Sequence, residues 1–351
     1  MPSLKTSDYD YVLPQELIAQ TPLEPRDHSR LLMIDRIDGS LSHRRFNELP
    51  DFLKGGDVLV FNNSRVIRAR LFGSRTDTGR RIEILLLQRL KPNVWEALVG
   101  SKKRVFAGMQ VDLEGGGVVT AEVLEVRQNG IRVVRLSDDS VLPQIGKVPL
   151  PPYIHAPLAD PERYQTVYAD KEGSVAAPTA GLHFTPQLLE NIKNKGAICL
   201  FVTLHVGLNT FRPVQVEDAL KHPIFPEYGM INEEAAAEIN KAKIEHRRVI
   251  CVGTTSVRLV ESAAHILRSD LTAGDTAGII RPWDGWVNDF IYPGYQFKVS
   301  DAMITNFHLP KSTLLMLVSA FAGKELVFKA YREAIEQNYR FYSFGDAMFI
   351  I

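Results

Sequence analysis

Apolar residues between Asp57 and Leu136 form short runs that are separated by glycine-bearing breaks. The runs are DVLVF, RRIEILLLQRL, VWEALV, QVDL, VTAEVLEV and IRVVRL. Short strands at this spacing, without helical periodicity between them, predict a small antiparallel barrel or sandwich. We therefore assign residues 67–146 to an inserted β domain.

After a proline cluster at Pro149, Pro151 and Pro152, the pattern changes to helix alternating with strand. A helix is predicted after this cluster, with Thr185 as its N-cap and Pro186 in its first turn. The spaced apolar residues of QLLENIKNK follow, and Gly196 ends the helix. The continuous apolar run ICLFVTLHVG that follows is typical of a strand buried on both faces.

The same alternation continues to the end of the chain. Asn232 is expected to begin a helix that runs to about His246, and VICVG then forms a strand that turns into the helix VRLVESAAHILR. Pro310 is expected to open the helix KSTLLMLVSAFA, and an amphipathic helix should run from about Lys324 to Tyr339. Residues 1–66 and 147–351 are thus predicted to form a large α/β domain with a mixed, largely parallel sheet.

Composition narrows the class of protein. The first residues, MPSLKTSDYDYVLP, lack the basic and apolar regions of a signal peptide, and no apolar run approaches the length of a membrane span. Cys199 and Cys251 each lie in an apolar run, which favours buried thiols over a disulfide or a metal site. We expect a cytosolic protein without membrane contact.

Charge is balanced overall, with 41 basic and 41 acidic residues, but its distribution is uneven. Between Arg65 and Arg104 there are eleven Lys or Arg against three acidic residues. Such a stretch is either a solvated sheet face or a surface that binds nucleic acid, and both interpretations remain open at this point.

Three polar loops occupy places where ligands commonly bind. Two of them follow predicted buried strands, and one precedes a capped helix. They are the loop from Ala177 to Phe184, the residues Leu208 to Thr210 after TLHVG, and Thr254 to Ser256 after VICVG. Ligands of α/β proteins collect at the carboxyl ends of strands, where helix N-termini offer unpaired N–H groups. Hydroxyls at these places can also be simple helix caps.

Several familiar signatures are absent from the sequence. Lys311-Ser312-Thr313 resembles the end of a P-loop, but Phe307 to Pro310 precede it instead of a glycine-rich loop. No G-x-G-x-x-G follows a strand, which argues against a Rossmann dehydrogenase and against the common glycine-rich methyltransferase pocket. Neither H-E-x-x-H nor paired C-x-x-C occurs, so no metal site is predicted.

The chain resembles the S-adenosylmethionine:tRNA ribosyltransferase-isomerase family over nearly its whole length. The resemblance rests on these ordered segments: LPQELIAQTPLEPRDHSRLL, DVLVFNNSRVIRARL, VPLPPYI, ERYQTVYA, SVAAPTAGLHFT, TLHVGLNTFRPV, GTTSVR, FIYPGYQF, NFHLPKST and YRFYSFGDAMFI. The sequence departs from the family pattern at two positions. Asn209 stands where the family usually has glycine, and Phe225 stands where the family usually has a second histidine after His222. Asparagine tolerates left-handed backbone, so Asn209 is expected to leave its loop intact.

The resemblance implies a monomeric cytosolic enzyme of queuosine synthesis with an α/β domain and a small β barrel. Its co-substrate is S-adenosylmethionine, and no metal is needed. The ribosyl part of this donor is transferred to 7-aminomethyl-7-deazaguanine at the wobble position of a tRNA with a GUN anticodon. The products are epoxyqueuosine-tRNA, adenine and methionine, and the first step is loss of a proton from the ribose 5′ carbon beside the sulfonium.

The resemblance and the polar loops together give a set of expected site residues. We expect catalysis from His183, His205, Asp346 and Glu227, and a donor pocket shaped by Thr179, Gly181, Gly253, Thr254 and Thr255. His183 is expected to be exposed in its glycine-flanked loop and to transfer a proton, although it could instead only fix the loop.

A tRNA surface is expected on the basic stretch, at Arg65, Arg68, Arg70, Lys102, Lys103 and Arg104. Candidates for stacking on an extruded base are Tyr153, Phe184, Phe307 and Tyr342. At least half of these four rings are expected to pack in the core instead. Two competing functions stay open, namely a methyltransferase on an unusual scaffold and a non-catalytic RNA-binding protein that uses its β domain.

Overall fold

A computed structural model describes residues 4–100, 105–115, 119–127, 130–207, 214–270 and 278–351. The chain divides into two compact units. The first contains Met1–Arg65, Pro151–Lys171 and Ala177–Ile351, and the second contains Val66–Leu150 and Glu172–Ala176. Residues 172–176, which the sequence assigns to the α/β domain, thus belong to the smaller unit.

The larger unit is built on a nine-stranded sheet with the order β15-β13-β12-β3-β14-β16-β17-β1-β2. Its strands are β1 (Arg30–Ile34), β2 (Leu41–Arg45), β3 (Val58–Asn62), β12 (Ile198–Leu204), β13 (Glu227–Ile231), β14 (Val249–Val252), β15 (Trp283–Val287), β16 (Ala302–Asn306) and β17 (Ala347–Ile350). A separate two-stranded ladder joins β4 (Ser64–Val66) to β11 (Lys171–Ser174).

The centre of the sheet is parallel. Strand β3 pairs in parallel with β12 and β14, and β14 pairs in parallel with β16, so all four strands end at one edge. β17 and β1 form another parallel pair, whereas β16 with β17 and the outer strands pair in antiparallel fashion. The predicted α/β fold with a mixed sheet is confirmed, with its parallel pairing concentrated where the strands are most buried.

Helices cover both faces of this sheet. They are α2 (Pro186–Asn194), α3 (Glu233–Ile244), α4 (Thr254–Asp270), α5 (Thr313–Ala322) and α6 (Lys324–Glu336). Short 3₁₀ helices span Thr6–Tyr9, Gln15–Leu17, Arg26–His28, Phe46–Phe52, Pro161–Tyr164, Thr179–His183 and Ala219–Lys221. No helix within the described part of the chain is long and apolar enough to cross a membrane.

The N-caps account for where the helices begin. Thr185 and Asn232 accept hydrogen bonds from the N–H groups of Leu188 and Ala235 at 3.1 and 2.8 Å, as the sequence predicts. Helix α5, however, begins at Thr313 and not at Pro310. Lys311 has a left-handed φ of 54°, which a right-handed helix cannot accommodate, so Ser312 becomes the cap.

Alternating residues of the central strands form two hydrophobic layers. Val58 and Val60 of β3 face the layer that contains α3 to α6, whereas Leu59 and Phe61 face the layer that contains α2. The continuous apolar runs in the sequence thus mark strands with core on both sides.

The smaller unit is a closed antiparallel barrel with the strand order β10-β7-β6-β5-β8-β9. Its strands are β5 (Arg70–Arg75), β6 (Arg81–Lys91), β7 (Val94–Gly100), β8 (Gln110–Leu113), β9 (Thr120–Val126) and β10 (Ile131–Leu136), and the one-turn helix α1 (Leu142–Ile145) follows them. The barrel that the resemblance implies is therefore confirmed, and the sandwich alternative is wrong.

Candidate functional site

An open cavity of about 530 Å³ lies in the larger unit beside the carboxyl ends of β14 and β16. The cavity is lined by Tyr153, Ala177, Pro178, Thr179, Ala180, Val206, Gly253, Thr254, Thr255, Thr305, Asn306, Phe307, His308, Leu309, Leu314, Tyr342 and Ser343. Two of the three predicted polar loops therefore meet there, together with Val206, which follows the end of β12.

The N-terminus of α4 forms one wall of the cavity. Strand β14 ends at Gly253, whose φ of 90° is a left-handed conformation that glycine adopts without steric cost. The Gly253 N–H donates to the carbonyl of Ile304 at 2.7 Å, which fixes the turn against β16. Thr254 and Thr255 then occupy the first turn of the helix, where backbone N–H groups have no intrahelical partner.

Two buried polar atoms on the cavity wall lack a hydrogen-bond partner among the described residues. They are Oγ1 of Thr255 and Oδ1 of Asn306. Asn306 is only 2% exposed and Thr255 is 7% exposed. Because buried polar groups are nearly always paired in native proteins, two such atoms in one cavity indicate a place for a ligand or for ordered water.

Aromatic side chains form the opposite part of the lining. The rings of Tyr153 and Tyr342 lie 4.8 Å apart between centroids, and the hydroxyls of Tyr153 and Ser343 are 2.7 Å apart. Burial raises the pKa of both tyrosines, so each hydroxyl stays protonated at neutral pH. A neutral aromatic surface of this kind can accept a flat base by stacking.

His183 is buried, so the expectation that it is exposed is wrong. Its Nδ1 lies 2.7 Å from Ser29 Oγ, its Nε2 lies 3.2 Å from Asn306 Nδ2, and its ring stacks on Phe46. The 3₁₀ turn Thr179–His183 folds the histidine inward, toward the strands, while Thr179 faces the cavity. Burial, reinforced by the charge of Arg340, lowers the pKa of His183 to about 3.

His205 follows the end of β12 and precedes Val206, which lines the cavity. Its Nδ1 is buried and has no hydrogen-bond partner in the part of the chain that the structure describes. Burial lowers the pKa of this partly buried imidazole. The ring is therefore neutral at physiological pH and able to accept a proton.

Glu227 and Asp346 are both committed to contacts inside the protein. Glu227 accepts the N–H of Gly207 at 2.8 Å and pairs with Arg258, in a pocket that shares Leu314 with the cavity. Asp346 is 1% exposed and accepts the backbone N–H groups of Arg30 and Arg340 at 2.9 and 2.8 Å. The four expected catalytic residues are thus not gathered in one cavity.

Comparison with known proteins gives a consistent result. A family model described as a queuosine biosynthesis protein matches residues 6–350. The chain belongs to the queuosine biosynthesis protein family. It is 55% identical over 351 residues to an S-adenosylmethionine:tRNA ribosyltransferase-isomerase of Dehalococcoides mccartyi (strain CBDB1), covering 99% of this chain and 100% of that one.

Other members of the queuosine biosynthesis family agree with this assignment. A protein of the same name from Clostridioides difficile is 50% identical, again over 99% of this chain and 100% of its own length. The crystal structure of an S-adenosylmethionine tRNA ribosyltransferase from Thermotoga maritima is 36% identical, covers 98% of this chain and 100% of that chain, and superimposes with a TM-score of 0.56.

In this queuosine-family chain, four of the five residues predicted to shape a donor pocket lie together. Thr179, Gly253, Thr254 and Thr255 line the cavity, but Gly181 does not. A Cβ atom at Gly181 would lie 2.1 Å from the hydroxyl oxygen of Tyr168, so this glycine permits close packing behind the loop. Asn209 lies outside the described residues.

The predicted stacking residues divide into two groups. Tyr153 and Tyr342 line the cavity, whereas Phe184 is fully buried among Phe46 and Phe61. Phe307 reaches the cavity wall but is 1% exposed, with its ring packed into a cluster of core aromatic residues. The two phenylalanines therefore complete the core, which is the outcome expected for at least half of the four candidates.

The predicted tRNA-binding arginines have partners within the protein. Arg65 forms an ion pair with Glu162, with 2.6 Å between Nη2 and Oε1. Arg68 donates a hydrogen bond to the carbonyl oxygen of Pro143 at 2.7 Å. Arg70 forms an ion pair with Glu83, with 3.2 Å between Nε and Oε1. Lys102, Lys103 and Arg104 lie outside the described residues. Across the ranges that are described, no group of three His, Cys, Asp or Glu side chains is arranged to hold a metal ion.

Sequence reasoning missed Asn306 and Ser343 as lining residues. Asn306 is the first residue of the quoted segment NFHLPKST and ends β16, so its place at a strand's carboxyl end was a usable signal. Ser343 follows Tyr342, which has a left-handed φ of 69°, and no sequence pattern predicts that turn.

Proposed function

We propose that this protein transfers and isomerises the ribosyl part of S-adenosylmethionine onto 7-aminomethyl-7-deazaguanine at the tRNA wobble position. The products would be epoxyqueuosine-tRNA, adenine and methionine. The observation that carries this proposal is the end-to-end match to relatives that bear the name of this enzyme, at 55% identity. The cavity beside β14 and β16 offers hydroxyl, amide and aromatic side chains that suit the chemistry of the donor.

The donor is proposed to bind with its polar parts against Thr179, Gly253, Thr254 and Thr255. A helix N-terminus attracts negative charge, so the first turn of α4 suits the carboxylate of the methionine part. The tyrosine pair, Tyr153 and Tyr342, offers a stacking surface for a base. Apolar residues such as Val206 and Leu314 would exclude water from the sulfonium.

For proton removal from the ribose 5′ carbon we propose His205. Of the four expected catalytic residues, His205 has a ring nitrogen without a partner within the described chain. Glu227 and Asp346 are proposed to hold backbone around the site, since their carboxylates already accept N–H groups. Holding two large substrates together would supply much of the remaining rate enhancement.

The RNA substrate is proposed to be a tRNA with a GUN anticodon, bound by a monomer in the cytosol. Arg65, Arg68, Arg70, Lys102, Lys103 and Arg104 are proposed to contact its phosphates. Lysine and arginine grip RNA loops in this way, while the target base is splayed out of the stack. The protein partners of the three described arginines leave other N–H groups of each guanidinium for such contacts.

Product analysis tests the proposal. Purified protein is incubated with S-adenosylmethionine and a tRNA that carries 7-aminomethyl-7-deazaguanine at the wobble position. We expect equal amounts of adenine and methionine and one modified nucleoside per turnover. Formation of S-adenosylhomocysteine would instead identify a methyltransferase, and tRNA binding without any turnover of the donor would identify an RNA-binding protein.

A further inference from the structure

The hydrogen bonds of Asn306 determine which way its amide faces. Nδ2 lies 3.0 Å from the carbonyl oxygen of Tyr342 and 3.2 Å from Nε2 of His183. A carbonyl oxygen can only accept, so the atom beside it must be the N–H-bearing nitrogen. Both amide hydrogens of Asn306 are thereby used, and the remaining atom, Oδ1, is an acceptor only.

His183 completes this arrangement from the side away from the cavity. Nε2 accepts the Asn306 hydrogen bond only when it carries no proton, so the ring proton belongs on Nδ1, which donates to Ser29 Oγ at 2.7 Å. Burial keeps this ring neutral. With Phe46 stacked on one face of the ring, the imidazole has a fixed orientation and holds the Asn306 amide in place.

The result is a fixed, unpaired acceptor on a residue that lines the cavity. No donor within the described residues reaches Asn306 Oδ1, although the side chain is almost completely buried. An unpaired buried acceptor destabilises a protein unless a ligand or water pairs with it. An acceptor without hydrogens repels an anion, so its complement is a group with an N–H or O–H bond. Because the methionine part is proposed to bind at the first turn of α4, the nucleoside is left to supply that group.

We propose that Asn306 is a substrate-contacting residue that accepts a hydrogen bond from the nucleoside part of S-adenosylmethionine, and that His183 is the positioning residue that orients it. This inference rests on the proposed function for the identity of the ligand. Two groups of that nucleoside have the required chemistry, namely the amino group of adenine and the hydroxyls of the ribose. In this arrangement His183 acts through Asn306 and takes no proton from the substrate.

Binding measurements on matched variants and donor analogues test the contact. Calorimetry would compare the wild type with Asn306→Leu, which has a similar volume and no polar atom. Loss of one hydrogen bond should weaken donor binding roughly tenfold. Ser319→Ala is the control, because Ser319 Oγ is also buried without a partner among the described residues but does not line the cavity. The donor affinity of this variant should stay within twofold of the wild type.

Donor analogues locate the contact without relying on a mutant. One analogue lacks the adenine amino group, a second lacks the 2′ hydroxyl and a third lacks the 3′ hydroxyl. We expect one of them to bind the wild type roughly tenfold more weakly and to bind Asn306→Leu as well as the natural donor does. If every analogue loses the same affinity in both proteins, Asn306 makes no such contact and the proposal is overturned.

The positioning role of His183 has its own readout. His183→Gln and His183→Ala should raise the dissociation constant of the donor, and adding Asn306→Leu should raise it no further. The pH profile of kcat should keep its shape. Normal donor affinity with a kcat at least about a hundredfold lower and a lost limb of the pH profile would show that His183 transfers a proton.

The two proposals can fail separately. Donor affinity is measured without tRNA or turnover, so it tests the Asn306 contact even if the reaction differs from the one proposed. Release of adenine and methionine by the wild type tests the function and does not depend on Asn306. Circular dichroism of each variant establishes that it is folded before its affinity is interpreted.

Discussion

His183 and His308 are both buried, and burial lowers the pKa of each imidazole to about 3. Both rings have hydrogen-bond partners, since His308 Nε2 lies 2.8 Å from Thr305 Oγ1 and His183 is held by Ser29 and Asn306. His205 differs, because its Nδ1 is unpaired within the described residues. A histidine with an open nitrogen is the better proton acceptor.

Replacement of His205 by Gln should reduce kcat by about 10²- to 10⁴-fold, which is the usual contribution of a general base. The base must be unprotonated, and burial lowers the pKa of His205 below its ordinary value. Wild-type activity should therefore persist as pH falls to the ordinary histidine range and decline only below it. The measurement is the pH dependence of adenine release.

The matched control for this prediction is His265→Gln, since His265 is an exposed histidine in α4. Its kcat should stay within twofold of the wild type. A His205→Gln enzyme with near-normal turnover and an unchanged acidic limb would remove His205 from the proton transfer.

At the level of secondary-structure elements, hydrogen bonds join a side chain of α4 to the backbone that leads into β16. Glu261 of α4 is fully buried and accepts the N–H groups of Lys298, Val299 and Ser300 at 2.8 to 3.0 Å. These residues come shortly before β16, whose last residue is Asn306. One carboxylate thus fixes the approach of the chain to the strand that carries the proposed substrate contact.

Replacement of Glu261 by Leu should lower the free energy of unfolding by at least about 3 kcal/mol, because three buried N–H groups lose their acceptor. Urea denaturation measures the change. Glu261→Gln, which keeps one carbonyl oxygen, should lose distinctly less. Equal losses of under about 1 kcal/mol in both variants would show that these hydrogen bonds do not hold the segment.

Elements with a strong local signal were predictable from the sequence, whereas contacts between distant segments were not. The cap at Thr185 and the apolar run of β12 depend on neighbouring residues, and both predictions are confirmed. The burial of His183 depends on Ser29, Phe46 and Asn306, which are far apart in the sequence. No spacing rule brings such residues together, so its exposure was mispredicted.

At the scale of the molecule, the α/β unit and the barrel unit divide the proposed work. The α/β unit contains the whole cavity lining, from Tyr153 to Ser343. Of the arginines proposed to contact tRNA, Arg68 and Arg70 belong to the barrel unit and Arg65 ends a segment of the α/β unit. Donor binding and RNA binding should therefore respond to different substitutions.

Replacement of Arg65 and Arg68 by Gln should weaken tRNA binding, because each arginine is proposed to contact a phosphate. Each lost contact should reduce the slope of log K against log salt by about 0.7 to 0.9. Filter binding across a range of salt concentrations measures the slope, and calorimetry should show unchanged donor affinity. Arg332→Gln, at an exposed position of α6, is the control, and it removes one positive charge where the double variant removes two.

An unchanged salt slope in the double variant would show that these two arginines form no part of the RNA surface. A fall in Arg332→Gln of half the size seen in the double variant would show that only the overall charge matters.

A crystal structure with bound S-adenosylmethionine tests the location of the reaction most directly. We expect the donor to occupy the cavity at the N-terminus of α4, with an N–H or O–H group of its nucleoside about 3 Å from Asn306 Oδ1, which is the length of a normal hydrogen bond. Donor bound at any other place, with this cavity unchanged, would contradict it.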